Sequence, residues 1–437
     1  MEREITGKRP HFRPQKRRSN PYRVLLWLIL IAVGVWLMLG LENGQVKPLF
    51  LPTPTPTRVP NSYILEGESL FKAGDLEGAI RAYQQAAEMG QDAKTWAELA
   101  RIQTYSSSLL SSDDNRLERL KQARSSIDQA ISINPDDATA QAFRAFTLDW
   151  YAGSPLIDDE ERQTALNDAE AAAVRALQID SENPYALAFF AEILVDQQKW
   201  SQAQETVAQA VAIEERNNTS IMDVHRVYGY VWESLGQYRL AIEEYQQAAK
   251  TDPNLTFLYI FIGRNYLELE VHNRALEEFQ QAASINEQLG IKDPVPYIEI
   301  AKTYTRDGEF FVAALNAEKA LSFDPTNANT YGQLGMIYTQ ARNYEGAKPA
   351  LKCAVIGCTA EENEVGNTVV QGLPLTQNTV WYYLRYASVL AALSRKGQNY
   401  CQEALQVQDT VHKKYPDDSI FNDIIDENKN ICAMVQK

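Results

Sequence analysis

Four cysteines and four histidines are the residues of this 437-residue chain best suited to bind metal or act as nucleophiles. Cys353 and Cys358 lie five apart, and Cys401 and Cys432 fall in the last two helical segments. A four-cysteine zinc site is disfavoured because no C-x-x-C knuckle is present. Four cysteines allow three disulfide pairings. The local pairs Cys353–Cys358 and Cys401–Cys432 are favoured, the second tying the final helix down. His11, His225, His272 and His412 are far apart in sequence, and His225 and His272 fall at helical packing positions. No H-E-x-x-H, P-loop or G-x-S-x-G motif occurs. Adjacent carboxylates such as Glu243–Glu244 and Glu277–Glu278 read as solvated helix surface rather than an acid–base pair. No catalytic, cofactor or metal site is expected, and the chain reads as a non-enzyme.

What remains is surface chemistry, and charge sets its limits. The chain carries −15 overall, but residues 1–23 hold eight Lys or Arg against Glu2 and Glu4. That segment is +6, which leaves −21 for the rest. Phosphate binding needs clustered Lys and Arg, so nucleic acid is excluded as a partner of the acidic part.

Residues 24–41 (VLLWLILIAVGVWLMLGL) contain no charge. As a helix they would span roughly 27 Å, close to the hydrocarbon thickness of a bilayer. Met38, Leu39 and Gly40 make a poor signal-peptidase site, so an uncleaved signal anchor is expected. The basic tail at 1–23 should stay cytoplasmic, which places everything beyond Leu41 across the membrane, where disulfides persist. Residues 42–60 form a Pro/Thr-rich linker. Its PLFLPTPTPTRVP run favours polyproline II and would make a spacer of roughly 40 Å.

From residue 61 to 416 the chain repeats itself. One clean copy, residues 225–253, reads HRVYGYVWESLGQYRLAIEEYQQAAKTDP. Gly229 and Ala241 sit where two antiparallel helices would press together. Tyr228, Trp232, Tyr238 and Tyr245 fill the surrounding space, and Pro253 follows the helix end. This order resembles the tetratricopeptide repeat (TPR), a 34-residue helix–turn–helix unit. The alanine opening each second helix recurs at 79, 123, 169, 203, 241, 275, 313, 347 and 404. Three of the eight intervals equal 34 and every other one is longer, as insertions require. The resemblance implies an all-α, right-handed superhelical solenoid of eight to nine helix pairs. Residues 417–437 supply a capping helix, with Ile420, Phe421, Ile424, Ile425, Ile431 and Val435 on its apolar face.

The surplus residues are placed at 106–116 and 153–164, as extended acidic turns, and at 357–378, as a short hairpin. In the family, outward positions of each first helix line a concave groove and contact ligand. Here those positions give Tyr185, Glu192, Arg226, Tyr230, Arg264, Lys302 and Arg306, whose cationic members suit a peptide of acidic character. The family's fixed Lys-and-Asn set for a C-terminal carboxylate is not found. The function expected is a membrane-anchored, extracytoplasmic scaffold or adaptor for proteins or peptides, active in complex assembly. The alternatives are a sensor signalling through its tail, or a subunit that positions an enzyme.

Overall fold

The computed structural model describes residues 20–42 and 59–435, apart from 91, 111, 364–365 and 396. The basic tail before residue 20 and the proline run at 43–58 lie outside the described residues. Two compact units result, Met1–Arg58 and Val59–Lys437. The first contributes one helix, α1 (Pro21–Glu42). Its Pro21–Leu39 stretch has a mean hydropathy of 2.2, and by length and composition it is able to cross a membrane.

The second unit is a repeat solenoid. Its first pair is α2 (Pro60–Ala73) with α3 (Leu76–Gly90), followed by α4 (Ala93–Ser107) with α5 (Asp113–Ile133) and α6 (Ala138–Ala152) with α7 (Asp159–Ile179). Then come α8 (Pro184–Asp196) with α9 (Trp200–Asn217), α10 (Met222–Ser234) with α11 (Tyr238–Thr251), and α12 (Thr256–Glu268) with α13 (His272–Leu289). The last three pairs are α14 (Val295–Arg306) with α15 (Phe310–Phe323), α16 (Ala328–Gln340) with α17 (Tyr344–Val355), and α18 (Val380–Leu393) with α19 (Cys401–Lys414). Helix α20 (Ser419–Val435) packs on both α18 and α19 and closes the array.

Local chemistry explains where these helices start and stop. Asp92, Ser112, Asp137, Asp158, Asn183 and Asn327 each accept a hydrogen bond from a backbone N–H of the helix they precede, supplying a partner to an otherwise orphaned donor. The tight turn inside a pair needs one left-handed residue to close the first helix. Gly74, Gly236 and Gly308 occupy it in three pairs, but Gln198, Glu270 and Arg342 do so in three others. This is why glycine marks the turns only intermittently in the sequence.

All nine repeating alanines are fully buried, because a larger side chain there would hold the paired helices apart. In most second helices this alanine is the fourth residue, whereas in α5 and α7 it is the eleventh. The surplus at 106–116 and 153–164 therefore does not simply lengthen turns as expected. Much of it becomes about two extra helical turns at the start of α5 and α7, with only short connections left.

The surplus after α17 folds around a two-stranded antiparallel ribbon, β1 (Gly357–Cys358) with β2 (Val370–Gln371). Asn363 is buried within it and accepts from the Tyr331 hydroxyl at 2.7 Å. Cys353 is bonded to Cys358, and Cys401 at the start of α19 to Cys432 on α20. Phe421, Ile425 and Cys432 are buried under the cap. Ile420, expected on the apolar face, is 60% exposed because the packed stripe of α20 runs through 421, 425, 428 and 432.

Candidate protein-binding surface

Hydrogen-bonded pairs far apart in sequence show that the concave face has two different halves. The Asn254 amide donates to the Lys72 carbonyl, 182 residues away, so the fifth pair's exit touches the first pair and the array closes on itself. First helices of the early pairs then meet across the middle. Arg101 on α4 donates to Asp223 on α10 at 3.0 Å. The Tyr105 hydroxyl donates to the same carboxylate at 2.5 Å and accepts from Arg226 Nε at 3.0 Å. Arg226 grips Glu192 with two parallel bonds of 2.8 and 2.5 Å, and Trp150 Nε1 donates to Glu192 at 3.0 Å.

Aromatic rings wrap this polar centre. Tyr105 stacks on Phe257 with centroids 5.0 Å apart, and the Arg226 guanidinium lies over Tyr105, Phe146 and Trp150. Arg226, Glu192, Asp223 and Tyr105 are each less than 5% exposed. Each of the two planar guanidiniums is bonded to carboxylates, Arg101 to Glu98 and Asp223 and Arg226 to Glu192, and faced by rings, which offsets the cost of burying its charge. Beside them, burial and the neighbouring carboxylates Asp196 and Glu192 push Asp149 well above the usual carboxylate range. Burial lifts Asp196 to about 6, although the Tyr230 hydroxyl donates to it at 2.7 Å.

Farther along, the concave face is open. A cavity of about 500 Å³ lies along α12 and α14, lined by Arg264, Glu268, Glu299, Lys302 and Arg306. Glu299 forms its buried floor and accepts from Arg264 at 2.9 Å and Lys302 at 3.1 Å. Burial alone would raise the Glu299 pKa, but the two cations outweigh it and hold the carboxyl below its usual value. Arg306 is exposed one turn beyond Lys302. A second cavity of about 500 Å³ lies at the mouth of the closed half, with Phe71, Arg101, Tyr185, Asp223 and Asp252 among its lining residues. Among the described residues no three His, Cys, Asp or Glu side chains gather as metal ligands.

No protein-family model matches the chain. Over 113 residues it is 27% identical to BBSome complex member BBS4 of Bos taurus, a match covering 26% of this chain and 21% of that one. The chain thus spans about a fifth of the length of that curated relative. Among solved structures, the human IFIT1 dimer with PPP-AAAA superposes with a TM-score of 0.52 at 14% identity, covering 87% of this chain and 92% of the other. A tetratricopeptide repeat protein from Parabacteroides merdae matches 64% of this chain and 98% of its own, with 17% identity and a TM-score of 0.37. Within this chain, nine antiparallel helix pairs each bury the repeat alanine, and Gly229 and Gly263 admit the rings of Tyr245 and Phe279 where a Cβ would come within 2.7 Å. The chain is a tetratricopeptide-repeat solenoid.

Within this TPR array the seven residues expected to line one groove separate into two groups. Glu192 and Arg226 are partners in the sealed interior, Tyr230 braces Asp196 beside it, and Tyr185 is half-buried in the wall of the mouth cavity. Arg264, Lys302 and Arg306 do come together on an open surface. Even there the cationic field is moderated, since Glu233, Glu268 and Glu299 line the same cavity. Arg226 differs from its expected role because the TPR superhelix closes over it. Arg101, Tyr105 and Asp223 were missed altogether. Their bonds join residues 118 and 122 positions apart, and no local pattern marks them.

Proposed function

We propose that this TPR array is a membrane-tethered, non-catalytic scaffold that captures partner protein segments on the extracytoplasmic side during complex assembly. The observation carrying the capture site is the contrast along the concave face. Its first half is filled by its own aromatic and charged side chains, while the α12–α14 stretch leaves Arg264, Lys302 and Arg306 facing an open cavity. A segment lying there meets cations whose carboxylate partner, Glu299, is shared between two of them and is itself buried. An acidic segment can take the exposed sides of Arg264 and Lys302 and the whole of Arg306 without uncovering that floor.

Tethering is supported by the apolar helix α1 and orientation by the basic residues before it, which favour the cytoplasm. Two disulfides fit an oxidising compartment. Crosslinking of the full chain in native membranes, compared with a variant carrying Arg264→Glu, Lys302→Glu and Arg306→Glu, tests the capture site. The variant should lose its crosslinked partner by tenfold or more while melting with the wild type. Undiminished crosslinking would remove the α12–α14 cleft from consideration. Labelling of a cysteine added at an exposed array position, by a membrane-impermeant reagent in intact cells, reads the topology.

A further inference from the structure

Beneath the C-terminal cap lies a second cleft, of about 310 Å³, between α18 and α20 with the α16–α17 turn at its edge. This is at the low end of the roughly 300–1,000 Å³ typical of small-ligand sites, large enough for side chains but not for a folded domain. Its floor is apolar, from Leu384, Val389, Ile424 and Ile431. Trp381 and Tyr344 flank it, and both keep more than a third of their surface exposed.

Two polar groups in this apolar setting are unspent. Asn428 is 2% exposed, and its Nδ2 has no hydrogen-bond partner among the described residues. Leaving such a donor unpaired is unfavourable, and an aliphatic residue there would pack among Ile424, Ile425 and Ile431 without that cost. Arg385, half-buried on α18, has neither ion pair nor hydrogen bond among the described residues. Among the described residues the other buried or half-buried arginines have a carboxylate or carbonyl partner, as Arg101 and Arg226 show. Glu427 also lines the cleft but is exposed and makes no ion pair with Arg385.

We infer that this cleft binds a partner polypeptide segment that sets a carboxylate beside an apolar or aromatic side chain. The carboxylate pairs with the planar guanidinium of Arg385. The apolar side chain enters between Trp381 and Tyr344. Glu427 at the mouth disfavours a ligand carrying excess negative charge. The site is separate from the α12–α14 cleft, though it rests on the reading of the array as a binder of proteins.

Fluorescence anisotropy on the full-length protein in detergent tests it with three labelled hexapeptides. The first is Leu-Glu-Phe repeated twice and amidated, the second has Gln in place of Glu, and the third is the Gln peptide with a free C-terminal carboxylate. At least one carboxylate-bearing peptide should bind tenfold or more tightly than the amidated Gln peptide. Which one does so distinguishes a side-chain carboxylate from a chain terminus. Arg385→Gln should abolish the difference, and Glu427→Gln should tighten the winning peptide two- to threefold. The Arg264, Lys302 and Arg306 reversal should leave these affinities unchanged, so failure of either site can be told from failure of the other. Equal affinity for all three peptides, or a preference that survives Arg385→Gln, overturns the assignment.

Discussion

Arg226 and Arg264 are both first-helix arginines paired with a glutamate, yet their surroundings give them different energetic weight. The Arg226–Glu192 pair is almost wholly inside the protein, with side chains 3% and 6% exposed, whereas the Arg264 side chain is 47% exposed. Removing one member of a buried pair strands the other charge in a dry site and costs about 3–5 kcal/mol. Losing a partly solvated bond costs about 1 kcal/mol or less. Arg226→Met should therefore lower stability several times more than Arg264→Gln, as read from urea denaturation midpoints. Equal effects would mean that the closed half admits water around Glu192.

At the scale of helices and turns, the left-handed residue closing the first helix of a pair is the informative position. Gln198, Glu270 and Arg342 hold this conformation at φ of 61°, 58° and 59°, where a Cβ is disfavoured by about 1–2 kcal/mol. Part of that gain is lost to the greater freedom of glycine in the unfolded chain. Each change to glycine should still stabilise by about 0.5–1 kcal/mol, raising the melting temperature additively because the three turns are well separated. The opposite holds at Gly229 and Gly263, where a methyl group would drive into Tyr245 and Phe279. These elements were largely legible beforehand, since caps, small residues and aromatics lie within one repeat. The α5 and α7 extensions were not, because the polar runs that precede them are equally compatible with a turn and with an amphipathic helix start.

The whole array should respond to pH through its buried titrating groups. Burial raises Asp293 to about 6 and Asp196 to about 6 and holds Asp149 and Glu214 high. Each binds its proton more tightly folded than unfolded, so each reduces stability as pH rises from the ordinary carboxylate range through its folded value. Burial tends to lower His225, but the Glu244 and Glu214 carboxylates outweigh it and raise its pKa. Its contribution is complete below the unfolded value near 6.5 and is lost as pH rises through the folded one. Glu77 and Glu299 act oppositely, being lowered by Arg119 and by Arg264 and Lys302 against the burial effect. Their contribution is present above the ordinary glutamate pKa and fades as pH falls through the folded value. The melting temperature should thus be higher near pH 6 than at pH 8, with Asp149→Asn reducing that difference. A flat profile from pH 6 to 8 would show that these carboxylates are ionised in the folded array.

The sequence by itself determined the repeat unit and the pairing of helices, and it placed the number of pairs at eight to nine, of which the structure has nine. Those depend on contacts between residues one or two turns or one helix apart, such as Ala241 against its own pair and Gly229 against Tyr245. What only the tertiary structure decided is which charged first-helix positions face solvent. Each repeat adds a small rotation to the last, and after five pairs the sum carries Asn254 to Lys72 and shuts Arg226 inside. Arg226 lies three residues before Gly229 and Arg264 one residue after Gly263, about one helical turn apart in register and so on a similar face of the first helix, and that face alone does not say which of them is sealed. The same holds for Arg385 and Asn428, whose common cleft exists only because α20 folds back over α18. Side-chain chemistry was readable residue by residue, but its exposure was a property of the accumulated superhelix.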